Sequence, residues 1–169
     1  IPYNISTPII EYAIANRNLI KSFFLTVQYE FGQRLAAAPG SKAYGSLSIF
    51  CQYHADVKVV FKIKNTAFFP IPKVQSCFVR IDFREPHFRL TEEDKFFRFV
   101  QQTFGQRRKT LLNALPVHIA KEETRAALEQ LGIPPNTRAE NLPLKDFVAL
   151  YQKFGGGGEP IRSSRGTND

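Results

Sequence analysis

Residues 22–63 read SFFLTVQYEFGQRLAAAPGSKAYGSLSIFCQYHADVKVVFKI and combine strand-like with helix-like patterns. The apolar, β-rich run at 22–28 predicts a strand that is buried on both faces. Residues 29–39 predict a helix, and the Gly/Ser loop over 40–48 leads into a second short helix. Residues 57–63 alternate between apolar and polar side chains, which predicts another strand. This order of elements is typical of an α/β sheet.

The segments on either side extend the same pattern. Residues 76–83 (SCFVRIDF) alternate again and predict a strand that pairs antiparallel with 57–63. Before the first strand, residues 8–19 predict a short helix with Thr7 as its N-cap and Pro8 at its first position. We therefore expect residues 1–85 to form the second half of an open α/β sheet.

The character of the sequence changes near residue 86. From there to residue 154 the apolar spacing is helical, which predicts a small all-helical domain. Its predicted helices span 92–104, 106–115, 121–131 and 143–153. The tail from 155 to 169 (GGGGEPIRSSRGTND) has few groups to bury, so we expect it to be disordered.

Composition limits the classes of function. The chain has 169 residues, a formal net charge of +8 and 43% hydrophobic residues, which favours a compact protein with a polyanionic partner such as nucleic acid. Cys51 and Cys77 lie in apolar stretches, and we expect two buried free thiols in a reducing compartment. The histidines share no ligand spacing with them, so no metal site is predicted. No apolar run reaches the length of a membrane span.

Two Pro-containing stretches are candidate ligand sites. The pattern of residues 1–6 (IPYNIS) predicts a turn that can present backbone carbonyls and the Tyr3 ring to a planar ligand. In residues 67–76 (AFFPIPKVQS), the prolines stiffen the chain and hold an aromatic ring near Lys73, which suits a base next to a phosphate. An ordinary turn and a surface connector are the structural alternatives.

A third stretch, residues 104–115 (FGQRRKTLLNAL), carries three consecutive cations. If it is helical, Arg107, Arg108 and Lys109 spread around the helix and cannot all face the core. Cations at a helix start are unfavourable with the helix dipole unless an anion offsets them. A phosphate backbone would do so, and a solvated basic face is the alternative.

Taken together, these motifs resemble the KsgA-type small-subunit rRNA adenine dimethyltransferase family. The resemblance covers residues 1–153 and is most specific in PGSKAYGSLS (39–48), in FFPIPKV (68–74) and in QRRKTLLNAL (106–115). It implies a Rossmann-like methyltransferase sheet followed by a helical rRNA-binding domain. It also implies S-adenosylmethionine-dependent dimethylation of N6 on two adjacent adenosines near the 3′ end of small-subunit rRNA, with a role in ribosome biogenesis.

The resemblance also implies roles for individual residues. Ile1, Pro2 and Tyr3 match the end of the family's Asn-x-Pro-Tyr motif, so Ile1 would supply a carbonyl acceptor for the adenine N6 hydrogens and Tyr3 would stack on the flipped base. Phe68 would cover the adenine from the other side. The residues that would hold this pocket loop are Pro70, Pro72 and Lys73.

For RNA, the expected phosphate contacts are Lys42, Lys73, Arg107, Arg108 and Lys109. Replacing the last three with alanine should weaken binding to the immature small ribosomal subunit and flatten its salt dependence. We expect a monomer that acts in the cytoplasm, with an organelle as the alternative compartment.

The cofactor is expected to be bound elsewhere. No Gly-x-Gly-x-Gly pattern occurs in residues 1–153, so the residues that hold S-adenosylmethionine are expected before Ile1, together with the motif's Asn. We expect residues 1–169 alone to be inactive and not to bind this cofactor tightly. Micromolar binding by calorimetry would contradict that expectation.

Four other functions remain open at this point. A non-catalytic assembly factor for the small subunit, or an organelle transcription factor of the same fold, would use the same RNA-binding features. The large-subunit rRNA methyltransferases of macrolide resistance share Asn-x-Pro-Tyr, but residues 106–115 and 39–45 favour the small-subunit type. An adenine-specific DNA methyltransferase would leave the helical domain unexplained.

Overall fold

The computed structural model describes residues 1, 5–116, 119–154 and 158–160. Its α-helices are α1 (Ser6–Ala15), α2 (Tyr29–Leu35), α3 (Ser46–His54), α4 (Glu93–Phe104), α5 (Leu111–Ala114), α6 (Lys121–Gln130) and α7 (Leu144–Lys153). Its strands are β1 (Ser22–Gln28), β2 (Ala55–Ile63), β3 (Ser76–Phe83), β4 (Phe88–Leu90) and β5 (Gly158–Pro160). Two short 3₁₀ turns lie at Asn65–Ala67 and Ala139–Asn141.

The main sheet has the strand order β1-β3-β2, with β3 antiparallel to both neighbours. The pairing of β2 with β3 confirms the antiparallel pair that the alternating sequence predicts. Because β3 lies between them, β1 and β2 run in the same direction, and their carboxyl ends share one edge of the sheet. This edge matters for the site, since ligands of open α/β sheets bind outside the carboxyl ends of strands.

One face of this sheet is buried and the other is partly open. Leu25, Val27 and Val79 point into a core shared with α1, α2 and α3. On the opposite face Phe24 is 50% exposed and its ring stacks on Phe78. The prediction that β1 is buried on both faces is therefore wrong for the described residues, because no helix among them covers this side of the strand.

Close packing of α2 on the sheet depends on one glycine. A Cβ on Gly32 would overlap Cys77 Sγ and lie 3.1 Å from Val79 Cγ2. Gly32→Ala is expected to lower the free energy of unfolding by about 1–2 kcal/mol, because α2 must move away from the sheet. Urea unfolding measures the effect, and Gly45→Ala is the matched control, since its Cβ would meet nothing within 4 Å. Equal stability of the two variants would contradict this account of the packing.

The helical part shares its core with α3. Ile49 and Tyr53 point away from the sheet and cluster with Phe96, Phe147 and their neighbours in α4, α6 and α7. The other side of α3 contributes Cys51 to the sheet core. Side chains of α3 thus belong to both cores, and this helix connects the sheet to the helical part.

Several predicted segments differ from the structure. The helix predicted over 8–19 with Thr7 as its N-cap instead begins at Ser6, ends at Ala15 and has Ile5 at its N-cap position. The part predicted to be all-helical also contains the short strand β4.

In place of a helix over 106–115, residues 105–109 form turns and only α5 is helical. The physical reason is an isolated β-bridge from Thr110 to Arg138, together with a hydrogen bond from Leu111 N to Thr137 O at 2.8 Å, which hold this segment extended before α5. In the tail for which the sequence predicts disorder, residues 158–160 pair with β4 as β5, and the remainder lies outside the described residues.

Candidate functional site

The carboxyl edge of the sheet brings two of the predicted site segments together. The backbone nitrogen of Ile1 donates a hydrogen bond to Thr26 O of β1 at 3.0 Å. At the same edge, Tyr29 N donates to Gln75 O at 2.9 Å, which attaches the Pro-containing loop to the end of β1. The register places Gln28, Ser76 and Ile63 side by side, so the loop over 64–75 leaves the sheet close to the strand that Ile1 contacts.

The loop over 64–75 is braced from within. Its first residues form the 3₁₀ turn, with Phe68 N donating to Asn65 O at 3.2 Å. The Asn65 side chain donates to Pro72 O at 3.5 Å across the loop. Phe68 is half-buried, whereas Pro70 and Lys73 are exposed. The aromatic residue predicted to cover a planar ligand therefore belongs to a loop that is hydrogen-bonded across its span and that also carries Lys73.

Pro2 and Tyr3 lie outside the described residues, so their predicted roles stay predictions. Ile1 is 39% exposed at the sheet edge. The two groups that a ligand would meet here are the backbone carbonyl of Ile1 and the ring of Phe68 on the loop. Such a site can orient a flat heterocycle and accept hydrogen bonds from its edge.

Two of the predicted RNA-binding residues form a second group, at the junction of the sheet with the helical part. Lys42 and Arg107 line a cleft of about 960 Å³, together with Arg34, Tyr44 and Phe104. No hydrogen bond or ion pair among the described residues joins Lys73 to this group. The structure thus brings Lys42 and Arg107 together and leaves Lys73 with the Pro-containing loop.

Arg107 differs from the two cations that follow it. Its guanidinium donates to Lys42 O at 3.1 Å and to Tyr44 O at 3.2 Å, and pairs with Glu140 Oε2 at 3.2 Å. It therefore connects the 40–45 loop to the helical part. Arg108 and Lys109 are exposed, and in the described part of the chain neither makes an ion pair.

Buried tyrosines hold the same junction. Tyr44 OH donates to Leu142 O at 3.0 Å, and burial raises the Tyr44 pKa, with the Asp146 charge adding to the shift. Tyr53 OH donates to Phe88 O at 2.7 Å, and its pKa is also raised by burial and by Glu93. Both phenols therefore stay protonated donors at neutral pH, which keeps the loop and α3 attached to the helical part.

A residue that the sequence analysis missed, Arg34, lies between two clefts. It lines the 960 Å³ cleft and also a second cleft of about 540 Å³ between α1 and α4, whose lining includes Arg98 and Thr7. The sequence gives no signal that Arg34 lines these clefts, because a single Arg in the last turn of a helix is common as a partner of the helix dipole.

The remaining titratable groups of note are not catalytic candidates. Cys51 and Cys77 are free and buried, as the sequence predicts, and burial raises the pKa of the Cys51 thiol to about 12. Within the described residues, no group of three or more His, Cys, Asp or Glu side chains is placed to hold a metal ion. In that same part of the chain, every helix is too short or too polar to cross a membrane.

Comparison with known proteins gives a consistent result. Residues 1–155 match the family model described as ribosomal RNA adenine dimethylase. Proteins called ribosomal RNA small subunit methyltransferase A from Moorella thermoacetica and Geobacillus thermodenitrificans are 40% identical over 152 residues and 39% identical over 156 residues. Each match covers 89% of this chain and 53% of the relative, so the chain spans about half the length of the curated relatives it matches.

Solved structures agree on the fold. A dimethyladenosine transferase from Plasmodium falciparum superimposes with a TM-score of 0.74 at 28% identity, over 92% of this chain and 64% of that chain. The 23S rRNA methyltransferase ErmE gives a TM-score of 0.68 at 19% identity, over 92% of this chain and 63% of that one, which shows the fold alone. The α/β methyltransferase class expected from the sequence is thereby confirmed.

Proposed function

Because this chain belongs to the ribosomal RNA adenine dimethylase family, we propose that it holds the target adenine and the RNA for S-adenosylmethionine-dependent dimethylation of two adjacent adenosines in small-subunit rRNA. The small-subunit assignment rests on relatives at 37–40% identity that are named for that subunit. The large-subunit and non-catalytic alternatives have no such support. We propose that the protein acts as a monomer on the immature subunit in the cytoplasm.

The observation that carries this proposal is that Ile1 and the Phe68 loop are both attached at the carboxyl edge of β1, through the hydrogen bonds from Ile1 N to Thr26 O and from Tyr29 N to Gln75 O. The adenine N6 amine is a poor nucleophile, because its lone pair is delocalised into the purine ring. A carbonyl at Ile1 that accepts an N6–H hydrogen bond would favour a tetrahedral nitrogen and fix its direction. Phe68 would hold the ring plane by stacking once the base is flipped out.

The methyl donor is proposed from the family alone. The described residues do not fit S-adenosylmethionine, since β1 passes directly into α2 at Gln28-Tyr29, with no Gly-rich turn between them. S-adenosylmethionine would supply an electrophilic methyl group. What this chain supplies is the orientation of the acceptor nitrogen and the removal of the base from its stack.

The test is mass spectrometry of rRNA from a strain in which the gene is deleted. We expect the two adjacent adenosines to lose their N6 methyl groups, and the wild-type gene to restore them. Phe68→Ala should restore little, whereas Phe68→Tyr, which keeps the ring, should restore most of the modification. Fully dimethylated adenosines in the deletion strain would overturn the enzymatic proposal, and a defect in subunit assembly without a methylation defect would favour the assembly-factor alternative.

A further inference from the structure

The tip of the Pro-containing loop carries an apolar patch that the proposed adenine pocket does not use. Phe69 is 100% exposed, Ile71 is 62% exposed and Val74 is 42% exposed. A single exposed apolar side chain is ordinary, but three within six residues at a loop tip indicate a surface that a partner covers.

The loop presents this patch rigidly. The 3₁₀ turn at Asn65–Ala67 fixes one end, the contact from Tyr29 N to Gln75 O fixes the other, and Asn65 bridges to Pro72. Pro70 and Pro72 restrict the backbone on either side of Ile71. Little backbone freedom is therefore left at Phe69 for a partner to remove.

The charge around the patch favours a polyanion. Residues 57–79 contain four cations and no Asp or Glu. Lys64 and Lys73 are both exposed and belong to the same loop as Phe69. An aromatic side chain flanked by cations is the combination that binds single-stranded nucleic acid, because bases stack on the ring while the cations contact phosphates.

We infer that Phe69 is a stacking residue for an unpaired RNA base adjacent to the target adenosine, with Lys64 and Lys73 on the flanking phosphates. Phe68 and Phe69 are consecutive, so one rigid loop would hold the flipped adenine through its half-buried ring and a neighbouring base through its exposed ring. This inference rests on the proposed function, since it needs RNA at this edge of the sheet.

The sequence contains no Trp, so Phe69→Trp introduces a unique fluorescent reporter. The probe is an RNA oligonucleotide with two adjacent unpaired adenosines, titrated into the full chain. We expect saturable quenching of Trp fluorescence, as a base stacks on the indole. Leu19→Trp is the matched control, because Leu19 is 85% exposed next to the amino end of β1, on the opposite edge of the sheet. Its fluorescence should stay nearly constant.

Affinity measurements complete the test. Phe69→Ala should weaken binding of this RNA about tenfold, Phe69→Tyr should bind like the wild type, and Phe69→Leu should bind like the alanine variant. Wild-type affinity in Phe69→Leu, or unquenched fluorescence from a Phe69→Trp variant that binds the RNA, would overturn the inference and leave the proposed function standing. Failure of the wild-type chain to bind the RNA would overturn both the inference and the RNA-binding part of the proposed function.

Discussion

Replacing Arg108 and Lys109 together with alanine is expected to weaken RNA binding about 20-fold at 0.1 M salt. Each phosphate contact that is lost removes about 0.7–0.9 from the slope of log affinity against log salt, so two contacts change that slope by roughly 1.4–1.8. The side chains are exposed and carry no ion pair in the described part of the chain, so their charge is available to a phosphate backbone. Filter binding at several salt concentrations measures both quantities.

Arg107→Ala is the matched control, because it removes the same charge from the adjacent position. Its guanidinium donates to two loop carbonyls and pairs with Glu140. We therefore expect the slope of log affinity against log salt to change by less than half of the change that one lost phosphate contact produces. Its loss should instead lower the free energy of unfolding by about 1–2 kcal/mol, since charge-assisted hydrogen bonds are lost at a half-exposed site. An Arg107 variant that flattens the salt slope as strongly as the Arg108 and Lys109 pair would contradict this division of roles.

The contrast among these three cations shows where sequence patterns stop being informative. Three consecutive basic residues indicate a nucleic-acid surface, and nothing local distinguishes the first from the others. The partners of Arg107 are 33 to 65 positions away in sequence, at Glu140 and at Lys42 and Tyr44. Only the packing of the helical part against the 40–45 loop brings them within reach.

The strands of the main sheet show the same limit of sequence patterns. Alternation with a period of two predicts β2, β3 and their antiparallel pairing, because the pattern fixes which face of each strand is buried. It does not predict that β3 also pairs with β1, which follows from tertiary packing of two strands about fifty residues apart. The attachment of both Ile1 and the Phe68 loop at the carboxyl edge of β1 depends on this second pairing. The motifs could therefore be predicted from the sequence, but not their position at one sheet edge.

Lowering the pH from 7.5 to 4.5 is expected to reduce the free energy of unfolding by roughly 2–3 kcal/mol through His54. Burial lowers its pKa from 6.5 to about 4, and the positive charges of Arg17 and Arg84 act in the same direction. Glu93 Oε2 lies 4.0 Å from Nε2 and favours the charged form, but it is partly exposed and does not outweigh the loss of hydration. The rings of Phe50, Tyr53 and Phe97 surround the imidazole.

The sign follows from the two pKa values. The unfolded chain takes up a proton at His54 as the pH falls below 6.5, whereas the folded chain does so only near pH 4, so this contribution is complete above pH 6.5 and is lost between these values. Urea unfolding at both pH values measures the loss. Carboxyl groups also titrate in this range, so the comparison is with His54→Phe, which keeps an aromatic ring and removes the titrating group, and with His87→Gln on the surface. Parallel pH profiles for the wild type and His54→Phe would show that the junction between α3 and α4 does not depend on a neutral imidazole. A flatter profile for His54→Phe, with His87→Gln unchanged, would establish that acid destabilises the fold through this one buried group.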